Sequence, residues 1–428
     1  MGWGRAAVVA AGAGLLAGGA QAQTKQQVTG PVATYWMSAQ TNTGFGGLGG
    51  GGGRPSMGAL MGAAMGGGSN VSKSLTLQLG SSRKAPAAPA AEHLPPSGLR
   101  AGQSLPLLTP TTAPAEPDHD PDPTQIPQDY RPKGKMLIFW GCGEHAKAGQ
   151  PIVIDFAKVA AGQVPPGMQA LAAQFGRPMQ PPSPGRSATY GEWPNERTRT
   201  SVPAGGSLVG EHLIRGNYSP DIKFALDGAQ DFLAPLNLTR NDIGPSGSGQ
   251  LAWNAIPNAR GYLATAVGAG ENDTMVLWSS SEAQASAFAL PDYLSNEDLT
   301  RLVSSKALMA PATTSCTIPQ EAVKAAPNLM VQLAAYGGET NLSYPPRPTD
   351  PKVAWNIDWT MKVRYKSQTG AMLGMETPGA GGLDDGDVAG GRDAGGVPGR
   401  QTPPQSPLGI PGVGGAILKG LGGRLPGL

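Results

Sequence analysis

Trp355-Asn-Ile-Asp-Trp-Thr-Met-Lys-Val-Arg-Tyr365 alternates apolar and polar side chains over eleven residues. Ile357, Trp359, Met361, Val363 and Tyr365 share one parity, and Asp358, Thr360, Lys362 and Arg364 share the other. Side chains point to opposite faces of a strand in strict turn, so this stretch reads as a long half-buried strand. A second stretch of the same kind is Ser72-Lys-Ser-Leu-Thr-Leu-Gln-Leu-Gly80, with Leu75, Leu77 and Leu79 on one face. Val28 to Ser38 is rich in β-branched and aromatic residues and alternates as well. These three stretches set the class: mainly β, one or two β-sandwich domains, long Gly/Pro-rich disordered segments and one short helical insertion.

Working outward, Met136–Trp140, Pro151–Phe156, Ser207–Arg215 and Ile222–Leu226 are of strand length and composition, the last two joined by a turn at Gly216-Asn-Tyr-Ser-Pro220. Between Val28–Ser38 and Ser72–Gly80 lies the Gly-rich run 44–68, so the two are expected to form a hairpin with an inserted tip. Residues 83–128 are dominated by Ala, Pro and acidic residues with no surviving period and read as a linker. Ser295-Asn-Glu-Asp298 has the pattern of a helix start, followed by Leu299, Leu302 and Val303 at helical spacing.

Leu251-Ala-Trp-Asn-Ala-Ile-Pro-Asn-Ala-Arg-Gly-Tyr262 resembles the second and third strands of fibronectin type III-like, immunoglobulin-like β-sandwich domains. Thr313–Pro319, Leu329–Tyr336 and the strand beginning near Trp355 resemble strands that come later in the same family. The resemblance covers about 250–365 and departs from the family by an insertion over about 279–312. It implies a sandwich in that region and no particular activity.

The expected division is therefore 1–22 signal peptide, 23–82 N-terminal strands with the Gly-rich loop, 83–130 linker, 131–240 β domain, 241–370 fibronectin type III-like sandwich and 371–428 Gly/Pro-rich tail. The signal reading rests on Arg5, an apolar stretch from Ala6 to Ala17, and Ala20-Gln-Ala22 as a small-x-small cleavage site. No Cys stands near that site to carry a lipid, and no later stretch is apolar for the ~20 residues a membrane helix needs. A periplasmic or secreted chain with no transmembrane segment after processing is expected.

The formal charge is +2, and the first 22 residues contribute Arg5 and no acid. Such balance argues against nucleic acid as a partner, which needs a basic face to displace counterions. Gly (64) and Pro (42) make up about a quarter of the chain, which demands extensive loops.

Candidate chemistry is sparse. Cys142 and Cys316 are the two cysteines of the chain; in an oxidising compartment they either bridge or stand as separate thiols. Cys142-Gly-Glu-His145 places a thiol and an imidazole close enough to act as weak metal ligands or as nucleophile and base. A structural zinc site wants four ligands, and no second Cys/His pair follows, so no metal and no cofactor is expected. Asp118-His-Asp-Pro-Asp122 and Asp384-Asp-Gly-Asp387 lack the mid-loop Gly and distal Glu of a calcium loop. Tyr190-Gly-Glu-Trp-Pro-Asn195 reads as a loop, where Trp193 and Tyr190 either stack on a sugar or a partner or plug the sandwich end. The expectation is an exported, non-enzymatic envelope protein that binds another protein or a cell-surface component. The alternatives are a glycan- or peptidoglycan-binding module and an exported enzyme using Cys142 and His145. Oligomeric state is not set by the sequence.

Overall fold

Long alternating strands dominate a computed structural model that describes residues 26–44, 71–111, 134–160, 163, 179–198, 200–283 and 290–375. In chain order these are β1 (Val28–Thr29), β2 (Ala33–Gly44), β3 (Ser72–Ser81), β4 (Ala91–Leu94), β5 (Leu105–Leu107), β6 (Lys135–Trp140), β7 (Ile152–Asp155), β8 (Thr189–Trp193), β9 (Gly210–Gly216), β10 (Ile222–Leu226), β11 (Leu238–Ile243), β12 (Gly249–Trp253), β13 (Gly261–Ala269), β14 (Thr274–Ser279), β15 (Ser315–Ile318), β16 (Met330–Tyr344), β17 (Trp355–Asn356) and β18 (Trp359–Met372). Three short helices accompany them: α1 (Phe156–Ala160), α2 (Asn296–Ser304) and α3 (Gln320–Ala325). The chain is mainly β, as its alternation implies. No helix among the described residues is long and apolar enough to cross a membrane. The signal reading, the Gly-rich run, the aspartate runs and the tail beyond residue 375 fall outside the described residues.

The centre of the structure is a nine-stranded sheet in the order β7-β6-β14-β13-β16-β18-β2-β3-β8. β2 and β3 pair antiparallel from Ala33↔Ser81 to Asn42↔Ser72, the hairpin expected from sequence. β18 lies parallel to β2 across twelve paired residues, from Trp359↔Ala33 to Gly370↔Gly44. β6 lies parallel to β14. The sheet thus draws strands from 23–82, 131–240 and 241–370 and runs across the boundaries placed between them.

Two smaller sheets pack on its inner face, β10-β9-β4-β5 and β11-β12-β15. Tyr35, Met37 and Ala39 of β2, Leu75, Leu77 and Leu79 of β3, and Met361 and Val363 of β18 are buried there. They share one core with Leu105, Ile214 and Phe224 of the four-stranded sheet and with Leu251 and Trp253 of the three-stranded one. Each such large side chain withdrawn from water contributes roughly 1.5–3 kcal/mol. Polar crossings fix the registry of the layers. The Thr41 hydroxyl donates to the Leu233 carbonyl at 2.7 Å, and the Tyr262 hydroxyl accepts the Ile256 amide at 3.0 Å.

Over residues 83–111 the linker reading is corrected by β4, β5 and the single helical turn Ser97–Leu99 between them; its remainder, 112–128, lies outside the described residues. Runs of three and four residues are too short to show a period, and Pro106 masks the second. β5 is an edge strand of its sheet, where a missing proline N–H leaves no ladder bond unmade. The stretch is therefore a structural layer, with Leu99, Leu105 and Leu107 at most 1% exposed.

The helical insertion is present as read. The Ser295 hydroxyl accepts the Asp298 amide at 3.0 Å and caps α2. Leu299 and Leu302 are buried against Leu263 and Tyr336. This packing lies on the outer face of the large sheet, over β13 and β16, and it decides where the sheet is left open.

Candidate functional site

The residues singled out by sequence fall in three places. Cys142 and Cys316 are joined by a disulfide with Cα atoms 5.3 Å apart, which ties the end of β6 to β15. That corrects the reading of Cys142 as nucleophile or metal ligand, since a bridged sulfur has no thiolate to offer. His145 stands exposed in the loop after Cys142, its Nδ1 3.2 Å from a Glu321 carboxylate oxygen. Among the described residues no group of three or more metal-ligating side chains occurs.

Trp193 and Tyr190 belong to β8, a strand and not a loop. Both are 3% exposed. Trp193 pairs across from Leu77 and lies in the main core. Tyr190 donates its hydroxyl to Glu192 at 2.6 Å and accepts from the Gln78 amide at 3.2 Å. Burial raises its pKa well above the ordinary tyrosine value. Trp193 has no face free to stack on a ligand, which corrects it as a binding residue, whereas Tyr190, although almost fully buried, borders a depression of about 340 Å³ beside Lys84, Pro89 and Thr109. Gly191 and Pro194 suggest a loop, but Gly191 is selected by space: a Cβ there would meet the Leu107 carbonyl oxygen at 2.7 Å.

Two further histidines among the described residues are buried. His93, read as part of the linker, sits in β4, and His212 in β9. His212 Nε2 lies 2.7 Å from the Leu208 carbonyl, which only accepts, so Nε2 carries the proton. His212 Nδ1 is then an acceptor, and His93 Nε2–H donates to it at 2.8 Å. His93 Nδ1 in turn accepts from the Tyr35 hydroxyl at 3.0 Å. The chain is complete with both rings neutral, and it clamps the four-stranded sheet to β2.

A different constellation occupies the outer face. Alternation in β18 turns Thr360, Lys362, Arg364 and Lys366 outward, and alternation in β2 does the same for Thr34, Trp36 and Ser38. The parallel register sets Lys362 beside Trp36 and Arg364 beside Ser38. The Arg364 guanidinium lies 4.9 Å from the Trp36 ring centre and 4.5 Å from that of Tyr293, which the helical insertion brings in. Burial pushes its pKa below the ordinary arginine value. Lys362 stands 5.3 Å over Trp36 and is ion-paired to Glu339 of β16. Lys366 reaches Asp292 of the insertion at 3.2 Å.

A groove of about 410 Å³ opens along the border of this cluster. Trp36 and Trp355 wall it, and Asn341, Ser343, Thr360 and Lys362 line it. Trp355 is partly exposed, with its indole N–H fixed on the Pro345 carbonyl at 2.9 Å. Sequence reading located the strands and missed the site, though three cations on one parity of β18 were the signal available. What it lacked was the knowledge that β2 and β16 flank β18. The chain matches no family model, no curated protein and no solved structure.

Proposed function

We propose that this chain is an exported, non-enzymatic envelope protein that holds a glycan component of the cell surface in the groove between Trp36 and Trp355. The groove itself carries the reading. It brings an amide, hydroxyls and an ammonium on the central strands β16 and β18 together with the partly open indole of Trp355 on the short β17, one face of which carries the Arg347 guanidinium at 5.5 Å. A sugar presents an apolar C–H face to an aromatic ring and a rim of hydroxyls to amide and hydroxyl partners, so this set of groups fits it. Central strands hold such groups more exactingly than loops do.

The Cys142–Cys316 bridge supports an oxidising compartment, periplasmic or extracellular. It also removes the thiol on which an enzyme using Cys142 and His145 would depend. The fibronectin type III-like reading of the C-terminal half is kept as part of the proposal. It is supported by β11, β12 and β15 sharing one sheet while β13, β16 and β18 share the other. Immunoglobulin-type sandwiches divide their first, second and fifth strands from their third, sixth and seventh in the same way. Here the second of those sheets is extended on both sides by strands from the N-terminal half.

Retention of the purified protein on insoluble envelope polysaccharide tests the groove. Trp355→Ala and Asn341→Ala are each expected to weaken retention about tenfold, the worth of one good contact. Unchanged retention in both variants, or none by the unmodified protein, would sink the reading.

A further inference from the structure

We propose that the ligand is an acidic glycan chain lying along β18, with an anionic group on Arg364; this rests on the groove being the binding site. Lys362, Arg364 and Lys366 stand at alternate positions of one strand, so their stems are ~7 Å apart in a row. Their neutralisation is uneven. Lys362 is paired to Glu339, a carboxylate 9% exposed. Lys366 is paired to Asp292, whose side chain is 87% exposed and therefore held by little else.

Among the described residues Arg364 has no carboxylate within ion-pair distance. Its Nε and Nη2 both donate to the neutral Ser38 hydroxyl, at 3.1 and 2.5 Å, its plane is held between the rings of Trp36 and Tyr293, and Asp292 and Glu339 favour its charge from beyond ion-pair distance. Aromatic faces compensate a desolvated cation in part. An anion at the guanidinium edge supplies what is missing, through short charge-assisted hydrogen bonds to a donor already locked in orientation.

The span of the site argues for a chain over a single sugar. Beyond Arg364, on the far side from the groove, a second depression of about 220 Å³ is lined by Thr265, Asp292, Gln332, Lys366, Gln368 and Thr369. Lys362 borders the groove and Lys366 borders this depression. Four residues of strand separate them, or ~13 Å. One sugar ring does not reach both, whereas an oligomer crossing the Arg364 stack does.

The test is retention of the unmodified protein on carboxylated, sulfated and neutral glycan chains of matched length, at rising salt. Acidic chains are expected to bind about tenfold more tightly than neutral ones, and the advantage is expected to shrink as salt screens it. The carboxylated and sulfated arms show which anion is preferred. Affinity for the acidic series should step up once the oligomer is long enough to span both depressions. Arg364→Gln should weaken retention of acidic chains about tenfold more than that of neutral chains, and Lys366→Gln should remove the length step. Equal binding of acidic and neutral chains overturns the charge assignment and leaves the groove reading standing. Failure of every chain to bind overturns both.

Discussion

His93 Nε2 lies 2.8 Å from His212 Nδ1 between two packed sheets, with neither side chain more than 1% exposed. Burial holds the His93 pKa well below the ordinary histidine value, and the neighbouring His212 adds to the effect; burial lowers His212 too. The unfolded chain therefore takes up these protons first as pH falls. Stability is complete above the unfolded histidine value of about 6.5 and is lost below it. Two excluded protons give a slope of up to ~2.7 kcal/mol per pH unit. Urea unfolding midpoints measured from pH 7.5 to 5 should drop steeply below 6.5. His212→Phe should cost about 2–4 kcal/mol at neutral pH, because His93 Nε2–H and the Leu208 carbonyl lose their partner, and should roughly halve the slope. A midpoint flat through that range would contradict the neutral, directional chain.

The bridge between Cys142 and Cys316 spans 174 residues of sequence. Closing a loop of that length in the unfolded chain is worth about 5 kcal/mol in the chain-entropy picture. Cys316→Ser is expected to lower unfolding free energy by a comparable amount. A non-reducing peptide mass map should show one cross-linked pair, and alkylation without reductant should label neither cysteine.

Trp193→Ala is expected to destabilise the fold by about 3–5 kcal/mol through the cavity left in the core. Glycan retention by the fraction still folded should be unchanged, which separates this tryptophan from Trp355. Selective loss of retention with unchanged stability would restore Trp193 as a binding residue.

Among the described residues the buried Tyr218 hydroxyl has no hydrogen-bond partner. Burial keeps it protonated far above neutral pH. Tyr218→Phe removes an unsatisfied polar atom and keeps the ring, so it should raise stability by about 1 kcal/mol in denaturant unfolding. A loss of that size would mean that the hydroxyl is bonded in solution.

Strands long enough to alternate were legible in the sequence: β3 and β16 appear close to where Leu75–Leu79 and Leu329–Tyr336 place them, while the single strand read over Trp355–Tyr365 is divided between β17 and the start of β18, in different sheets. Ser295 likewise announces α2, since capping is a local interaction. β4, β5 and β8 were not legible, because three to five residues containing or followed by proline carry no period. Pairing was the larger omission. Nothing near Trp36 announces that Lys362, more than 300 residues later, will lie beside it, so the cluster on the outer face could not be assembled from either segment alone. The burial of Trp193 was hidden for the same reason: its partner Leu77 is remote in sequence.

The parallel seam between β2 and β18 has a consequence for biosynthesis. Until Trp359–Met372 emerges, the β2–β3 hairpin of a nascent chain keeps its middle-of-sheet edge unpaired, with Tyr35, Met37 and Ala39 uncovered on that side. Contacts so distant in sequence close late and slowly. An open edge of this kind is a template for association with other chains. A product truncated near residue 350 should accumulate as aggregate on sedimentation, whereas one ending just past Met375 should stay in the supernatant. The topology thus postpones closure of the large sheet until the ribosome has delivered nearly all of the described strands.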